Sequence, residues 1–122
     1  MSKIEYKIPK EIYIETTNHC NAHCPMCPND QMKRERGIMD WTLFVKIVRD
    51  CKELDLENTT IYLHKEGEPL IDSRIFNRVR YIKKELPNLK EVVLNTNAML
   101  LNEENTIQLL HSGLDKVFFS VD

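Results

Sequence analysis

Apolar residues along this chain follow two alternating rhythms. Short runs rich in β-branched and aromatic residues occur at EIYIET (11–16), TTIYLHK (59–65), KEVVLNTN (90–97) and DKVFFSVD (115–122). Bounded by turn-forming residues, they predict strands at 11–16, 59–64, 91–96 and 116–121. Between them the spacing turns helical. Phe44, Ile47, Val48, Cys51 and Leu54 predict a helix over 40–54, capped by Asp40. Ile75, Val79, Ile82 and Leu86 predict a second over 72–86, started by Asp72 or Ser73 and stopped by Pro87. A third, over 103–112, opens at Asn102 with Glu103 and Glu104 in its first turn and ends near Gly113.

The order is β-α-β-α-β-α-β, with crossovers long enough for right-handed parallel connections. An α/β domain with a parallel sheet is therefore expected over residues 1–122, without repeats, linkers or low-complexity tracts. The strands read as apolar runs and not as alternating ones, as helix-covered sheets require. A parallel sheet that stops on its fourth strand leaves Val117, Phe118 and Phe119 on an edge. The expectation is a chain cut short of a closed fold.

Polar residues gather at one end of these strands. The first runs into TTNHCNAHCPMC, the second into HKEGEP, the third into NTN, and the fourth into SVD. The opposite ends carry plain charged turns. Ligands of α/β folds sit at the carboxyl ends of parallel strands, so a single site at that end is expected.

Composition excludes several alternatives. The chain has 122 residues, enough for a core without disulfides, and a formal net charge of −2 that argues against nucleic acid or anionic membranes. The N-terminus has no apolar signal core, and no apolar run approaches a bilayer span. With no export signal, a reducing, cytoplasmic setting is expected.

The cysteines supply the chemistry. Cys20, Cys24 and Cys27 fall within eight residues, in a loop over 17–30, and Cys51 is the only other one. Three thiolates spaced C-x3-C-x2-C can hold one side of an iron–sulfur cluster and leave a fourth iron open to a ligand. Other readings remain open. Structural zinc could take the three cysteines with His19 or His23, giving a zinc-stabilised α/β binding module. A redox pair Cys24-Pro25-Met26-Cys27 is opposed by Pro28, which follows where such a motif should open a helix. Simple packing of the thiols is opposed by the polarity of the loop. Cys51, on the apolar stripe of the first helix, reads as core.

In order along the chain, these segments resemble the radical S-adenosylmethionine (radical SAM) enzymes. The cysteine loop with Met26 before Cys27 matches the family's cluster motif. CPMCPN followed by RERGIMDWTLF looks like members with a C-terminal SPASM-type cluster domain. Glu66-Gly67-Glu68-Pro69 is similar to the Gly-Gly-Glu motif, with Glu66 at a usual glycine. NTNAMLL resembles the third-strand segment, with Ala98 at another usual glycine, and FFSVD resembles the fourth strand.

The resemblance implies a partial, TIM-like (βα)6 barrel, here about four βα units. It implies a [4Fe–4S] cluster on Cys20, Cys24 and Cys27, whose open iron chelates SAM. Reductive cleavage of SAM would then give a 5′-deoxyadenosyl radical that abstracts hydrogen from a substrate, in an oxidoreductase- or transferase-type reaction. Met26 would lie against the adenine, and Glu66, Gly67 and Glu68 would meet the SAM ammonium. Asn95, Asn97, Ser120 and Asp122 would contact SAM or substrate. His64 and Arg36 are candidate catalytic residues, while Lys33 and Arg34 read more simply as solvated charges. The implied partners are a reduced flavodoxin or ferredoxin, and either further C-terminal strands or a partner chain to complete the barrel. The SPASM-like flavour points to a peptide or sugar-like substrate. A cluster carrier that does not bind SAM is the remaining alternative.

Overall fold

The computed structural model describes residues 8–18, 37–65 and 67–120. Within them, four strands form one parallel sheet in the order of the chain: β1 (Glu11–Tyr13), β2 (Thr60–Tyr62), β3 (Glu91–Thr96) and β4 (Lys116–Phe119). Helices α1 (Trp41–Cys51), α2 (Ile75–Glu85) and α3 (Glu103–His111) make the three crossovers. Register runs Ile12 to Ile61, Ile61 to Val92, and Leu94 to Val117.

All three helices cover the same face of the sheet. Phe44, Val48 and Cys51 of α1, Ile75, Phe76, Val79 and Ile82 of α2, and Leu109 of α3 join one apolar cluster with Ile14, Ile61, Leu63, Val92 and Leu94. Neighbouring residues on a strand point to opposite faces. The other face therefore carries Tyr13, Tyr62, Val93, Asn95 and Phe118, and buried Val93 stands outside the cluster as this parity demands. Consecutive strands with every helix on one face are the winding of a barrel, not of a doubly wound sheet. Among the described residues nothing covers the far edge: Phe118 and Phe119 of β4, and Ile107 and Leu110 of α3, are each at least half exposed.

The elements differ from sequence expectation in ways that matter for the site. β1 ends at Tyr13 and not at residue 16, because Thr16 and Thr17 leave the sheet to pair with residues 38 and 39. α1 ends at Cys51, so Leu54 lies beyond it and is exposed. β2 ends at Tyr62, which leaves His64 in the loop that follows. An unanticipated 3-10 turn, Pro69–Ile71, precedes α2, which starts at Ile75 and not at 72. Neither Asp72 nor Ser73 caps it; Arg74 holds the cap position without a side-chain bond. Asp40 stands at the start of α1 but its side chain makes no capping bond either. Asn102 does cap α3, exchanging bonds with Asn105 in a capping box. Gly113, at φ +89°, closes that helix in a conformation glycine adopts freely.

Candidate cluster and cofactor site

The chain leaving β1 and the chain entering α1 are clasped together. Thr17 and Ile38 form an antiparallel bridge, and the Met39 N–H donates to the Thr16 carbonyl at 2.6 Å. The Gly37 N–H donates to Asn18 Oδ1 at 2.7 Å, and the Asn18 N–H to the Gly37 carbonyl at 3.3 Å. Residue 18 is thus beside residue 37, so the segment between them is closed at its base. Cys20, Cys24, Cys27, Met26 and Arg36 fall within that segment and lie outside the described residues, as do Glu66 and Asp122.

A buried ion pair supports the clasp from the helix side. Arg78 of α2 and Asp72 are each 1% exposed, with Arg78 Nε donating to Asp72 Oδ2 at 2.6 Å. Arg78 Nη2 donates to the Met39 carbonyl at 2.5 Å, which ties α2 to the return of the cysteine segment. The guanidinium carbon also lies 4.9 Å from the Phe44 ring centroid and 5.6 Å from that of Trp41, a cation–π arrangement. Asp72 Oδ1 accepts from the Arg74 N–H, so both carboxylate oxygens are used. Sequence reading missed this pair. The available signal was an arginine on the same helical stripe as Ile75 and Ile82, where a solvated charge has no place.

Gly67 presses against the clasp from the second strand end. A Cβ on it would stand 2.0 Å from the Thr17 carbonyl oxygen and 2.7 Å from Asn18 Cα, so only glycine permits this approach. The next residue, Glu68, is 3% exposed and binds the loop to the third strand end. Its Oε2 accepts from the Leu70 N–H and from Thr96 Oγ1, both at 2.8 Å, and its Oε1 accepts from the Asn97 N–H at 2.7 Å. A carboxylate offers about four acceptor positions. Three are filled from within the protein. Buried Thr96 is a second residue that sequence reading missed.

A polar row crosses the sheet at the same level. The Asn95 N–H donates to His64 Nδ1 at 3.0 Å, and Ser120 Oγ donates to Asn95 Oδ1 at 2.8 Å. Because Nδ1 accepts, neutral His64 carries its proton on Nε2. Burial lowers the His64 pKa, which favours that neutral form. Below it, Tyr13 and Tyr62 stack with ring centroids 4.7 Å apart, and both meet the His64 ring edge to face. Asn97 Oδ1 accepts from the Met99 N–H and turns the chain towards Ala98, held at φ +65°.

The structure therefore brings together Gly67, Glu68, Asn97, Asn95, Ser120 and His64 from three strand ends, next to the base of the cysteine segment. Among the described residues no group of His, Cys, Asp or Glu is arranged to hold a metal ion. Cys51 is buried in the core, and burial together with Asp50 raises its thiol pKa, so it stays an inert thiol. The other three cysteines lie outside the described residues. Three thiols in a segment whose two ends are held together by the clasp are a donor set that fits an iron–sulfur cluster.

Comparison with known proteins bears on this arrangement directly. The family model described as the Radical SAM superfamily matches residues 14–122. The chain is 37% identical over 113 residues to the tungsten-containing aldehyde ferredoxin oxidoreductase cofactor-modifying protein of Pyrococcus furiosus, covering 93% of this chain and 31% of that protein. It is 31% identical over 110 residues to a GTP 3',8-cyclase of Synechococcus sp. strain CC9902, covering 89% of this chain and 31% of that enzyme. The chain thus spans about a third of the length of these relatives. Among solved structures it resembles BtrN in complex with AdoMet and 2-DOIA, with a TM-score of 0.83 at 29% identity over 93% of this chain and 46% of that one. The parallel, singly wound sheet is therefore the partial TIM-like barrel of such enzymes, whose cofactors are a [4Fe–4S] cluster and S-adenosylmethionine. The match over residues 14–122 includes the clasp and all three strand-end segments described above, and this chain belongs to the radical SAM superfamily.

Proposed function

We propose that this chain is the part of a radical SAM enzyme that holds the cluster and most of the SAM site. Cys20, Cys24 and Cys27 would hold the [4Fe–4S] cluster. When bound, the cluster and SAM supply reductive cleavage to a 5′-deoxyadenosyl radical that takes hydrogen from a substrate. The remaining work belongs to the protein. The clasp at 16–18 and 37–39 sets where the cysteine loop begins and ends. Gly67 lets the second strand end come against that clasp, so the SAM ammonium would find the Glu66–Glu68 loop beside the cluster. Glu68 keeps this loop rigid and offers one remaining acceptor. Met26 would meet the adenine.

Asn95 and Ser120 already bond each other, which leaves the Asn95 amide hydrogens for the SAM ribose or the substrate; Asn97 and Asp122 would complete that wall. His64, neutral at pH 7, offers its Nε2–H as a fixed donor. Arg36 would face an anionic group of SAM or substrate. The observation that carries this reading is the contact between Gly67 and Thr17–Asn18, which joins the cysteine segment to the strand end bearing Glu68. The whole enzyme's substrate, a peptide or a sugar-like molecule in our reading, would enter over the Tyr13–Tyr62 face. Barrel strands beyond β4, from further sequence or a partner chain, would close the pocket, and a SPASM-type extension would follow them.

The test is ligand counting. Under anaerobic reconstitution the wild-type chain is expected to take up about four iron and four sulfide, as a cubane cluster requires. Cys20→Ala, Cys24→Ala and Cys27→Ala should each lose most of it. Stoichiometric zinc with no bound sulfide would overturn the reading in favour of a structural zinc site.

A further inference from the structure

On the outer side of the helix layer, Trp41 at the start of α1 and one side of α2 line an open groove of about 500 Å3, with Arg74, Asn77, Arg80, Tyr81 and Lys84 along it. Positions 74, 77, 81 and 84 fall at helical spacing on one side of α2. The residues of that stripe and Arg80 put three cations around two half-buried aromatic rings, with no acidic residue in the lining. Most other cations on these helices have carboxylate partners. Lys46 pairs with Asp50, Lys52 with Glu85, Lys83 with Asp115, and Arg78 with Asp72. Arg74, Arg80 and Lys84 form no ion pair among the described residues, although Lys84 adds to the positive field that lowers the Glu85 pKa. Arg80 Nη1 instead donates to Asn77 Oδ1 at 2.9 Å, which holds the guanidinium over the groove. Among the described residues, a chain of net charge −2 thus presents a concave, aromatic surface whose three cations form no ion pair.

That surface is continuous with the clasp. Trp41, one wall of the groove, begins α1 two residues after Met39. Its ring lies against the Arg78 guanidinium, which donates to the Met39 carbonyl, and the Met39 N–H in turn bonds Thr16. Tyr81 meets Trp41 edge to face at 5.7 Å. The groove therefore opens beside the base of the segment that carries the three thiols. We propose that it is the docking surface for an acidic one-electron carrier protein that reduces the cluster, an inference that rests on the function proposed above.

Three features favour a protein over a small anion or a nucleic acid. From Arg74 to Lys84 the cations span roughly 15 Å of helix, far wider than one phosphate needs. Arginine and aromatic side chains are the residues that dominate protein interfaces. The negative charge of the whole chain opposes a polyanion that would touch more than this patch. The step itself is a single electron transfer: the carrier is oxidised by one electron, the cluster is reduced by one, and no bond forms or breaks.

The experiment compares two reductants on the reconstituted chain. Reduced flavodoxin serves as the acidic carrier, and photoreduced 5-deazaflavin as a small reductant without a docking requirement. Cluster reduction is followed by stopped-flow absorbance for the wild type, for Arg80→Gln/Lys84→Gln, and for Arg74→Glu/Arg80→Glu/Lys84→Glu. Charge steering of association is worth 10-fold or more. Reduction by flavodoxin at low salt should therefore fall about 10-fold in the triple variant. It should fall less in the double one, and the wild-type salt dependence should flatten. Deazaflavin should reduce all three alike. Wild-type flavodoxin rates in both variants would overturn the docking inference while leaving the proposed function standing. A wild-type chain that deazaflavin cannot reduce, or that forms no cluster, would overturn the function itself and the inference with it.

Discussion

Replacing Arg78 with methionine removes the cation from a pair whose members are each 1% exposed. Asp72 would keep the bond from the Arg74 N–H but lose its charged partner, and the Met39 carbonyl would lose its donor. Breaking a buried ion pair from one side typically costs about 3–5 kcal/mol, because the remaining charge stays buried and uncompensated. For a domain of this size about 1 kcal/mol moves the melting temperature by roughly 3–6 °C, so Arg78→Met should lower it by about 10–30 °C. The size of the effect alone does not identify its cause; the double variant does. In Asp72→Asn/Arg78→Met no charge is buried and the Arg74 N–H keeps an acceptor, while the Met39 carbonyl and the new Asn amide N–H groups are left without their former partner, each a neutral group. Each such neutral loss is worth about 1–3 kcal/mol, less than a buried uncompensated charge. The double variant should therefore be more stable than Arg78→Met alone. Urea unfolding of the four proteins of this cycle, read by circular dichroism, gives the coupling energy. Hydrogen exchange at the Met39 amide should quicken in both Arg78 variants, since the carbonyl of that residue is released next to the clasp. Additive single changes, or an Arg78→Met protein within about 1 kcal/mol of wild type, would refute the claim that this pair holds the return of the cysteine segment.

Three further outcomes follow from the site geometry. Gly67→Ala should cost about 1–3 kcal/mol through overpacking against Thr17 and Asn18 and should reduce iron uptake, whereas unchanged stability and loading would refute the close approach. Ala98→Gly should stabilise the chain by roughly 0.5–1 kcal/mol, because a left-handed alanine costs about 1–2 kcal/mol and glycine gives part of that back as unfolded-state entropy; a loss in urea unfolding would contradict the strain at φ +65°. His64 should titrate below its ordinary value of 6.5 and show the Nε2–H tautomer by nitrogen NMR. With its folded pKa lowered, the unfolded chain binds the extra proton first, so this contribution to stability is present above pH 6.5 and is lost as pH falls towards the lowered pKa. A midpoint at or above 6.5 would contradict the buried, neutral ring.

The architecture was legible in the sequence because its signals are local. β-branched runs, helical stripes and the Asn102 cap each act over a few residues, and together they give the βα order. The location of the site was legible for a related reason. Parallel strands all end at one edge, so polar endings such as HKEGEP and NTN converge whatever the exact packing. What stayed hidden depends on pairing between distant segments. Asp72 looks like a helix cap until Arg78, in the first turn of α2, turns it into half of a buried pair. Glu68 reads as a ligand for SAM, yet most of its acceptor capacity is drawn inwards by Leu70, Thr96 and Asn97. β1 ends early because Thr16 and Thr17 bond residues beyond the cysteine segment, a contact no local window contains.

One measurement tests the central claim most directly. The chain is reconstituted anaerobically with iron and sulfide, reduced, and examined by electron paramagnetic resonance with and without SAM. The account predicts a [4Fe–4S]⁺ signal that shifts on adding SAM, because Cys20, Cys24 and Cys27 as its three ligands would leave one iron open to SAM. A cluster signal indifferent to SAM would contradict it and leave an iron–sulfur carrier in its place.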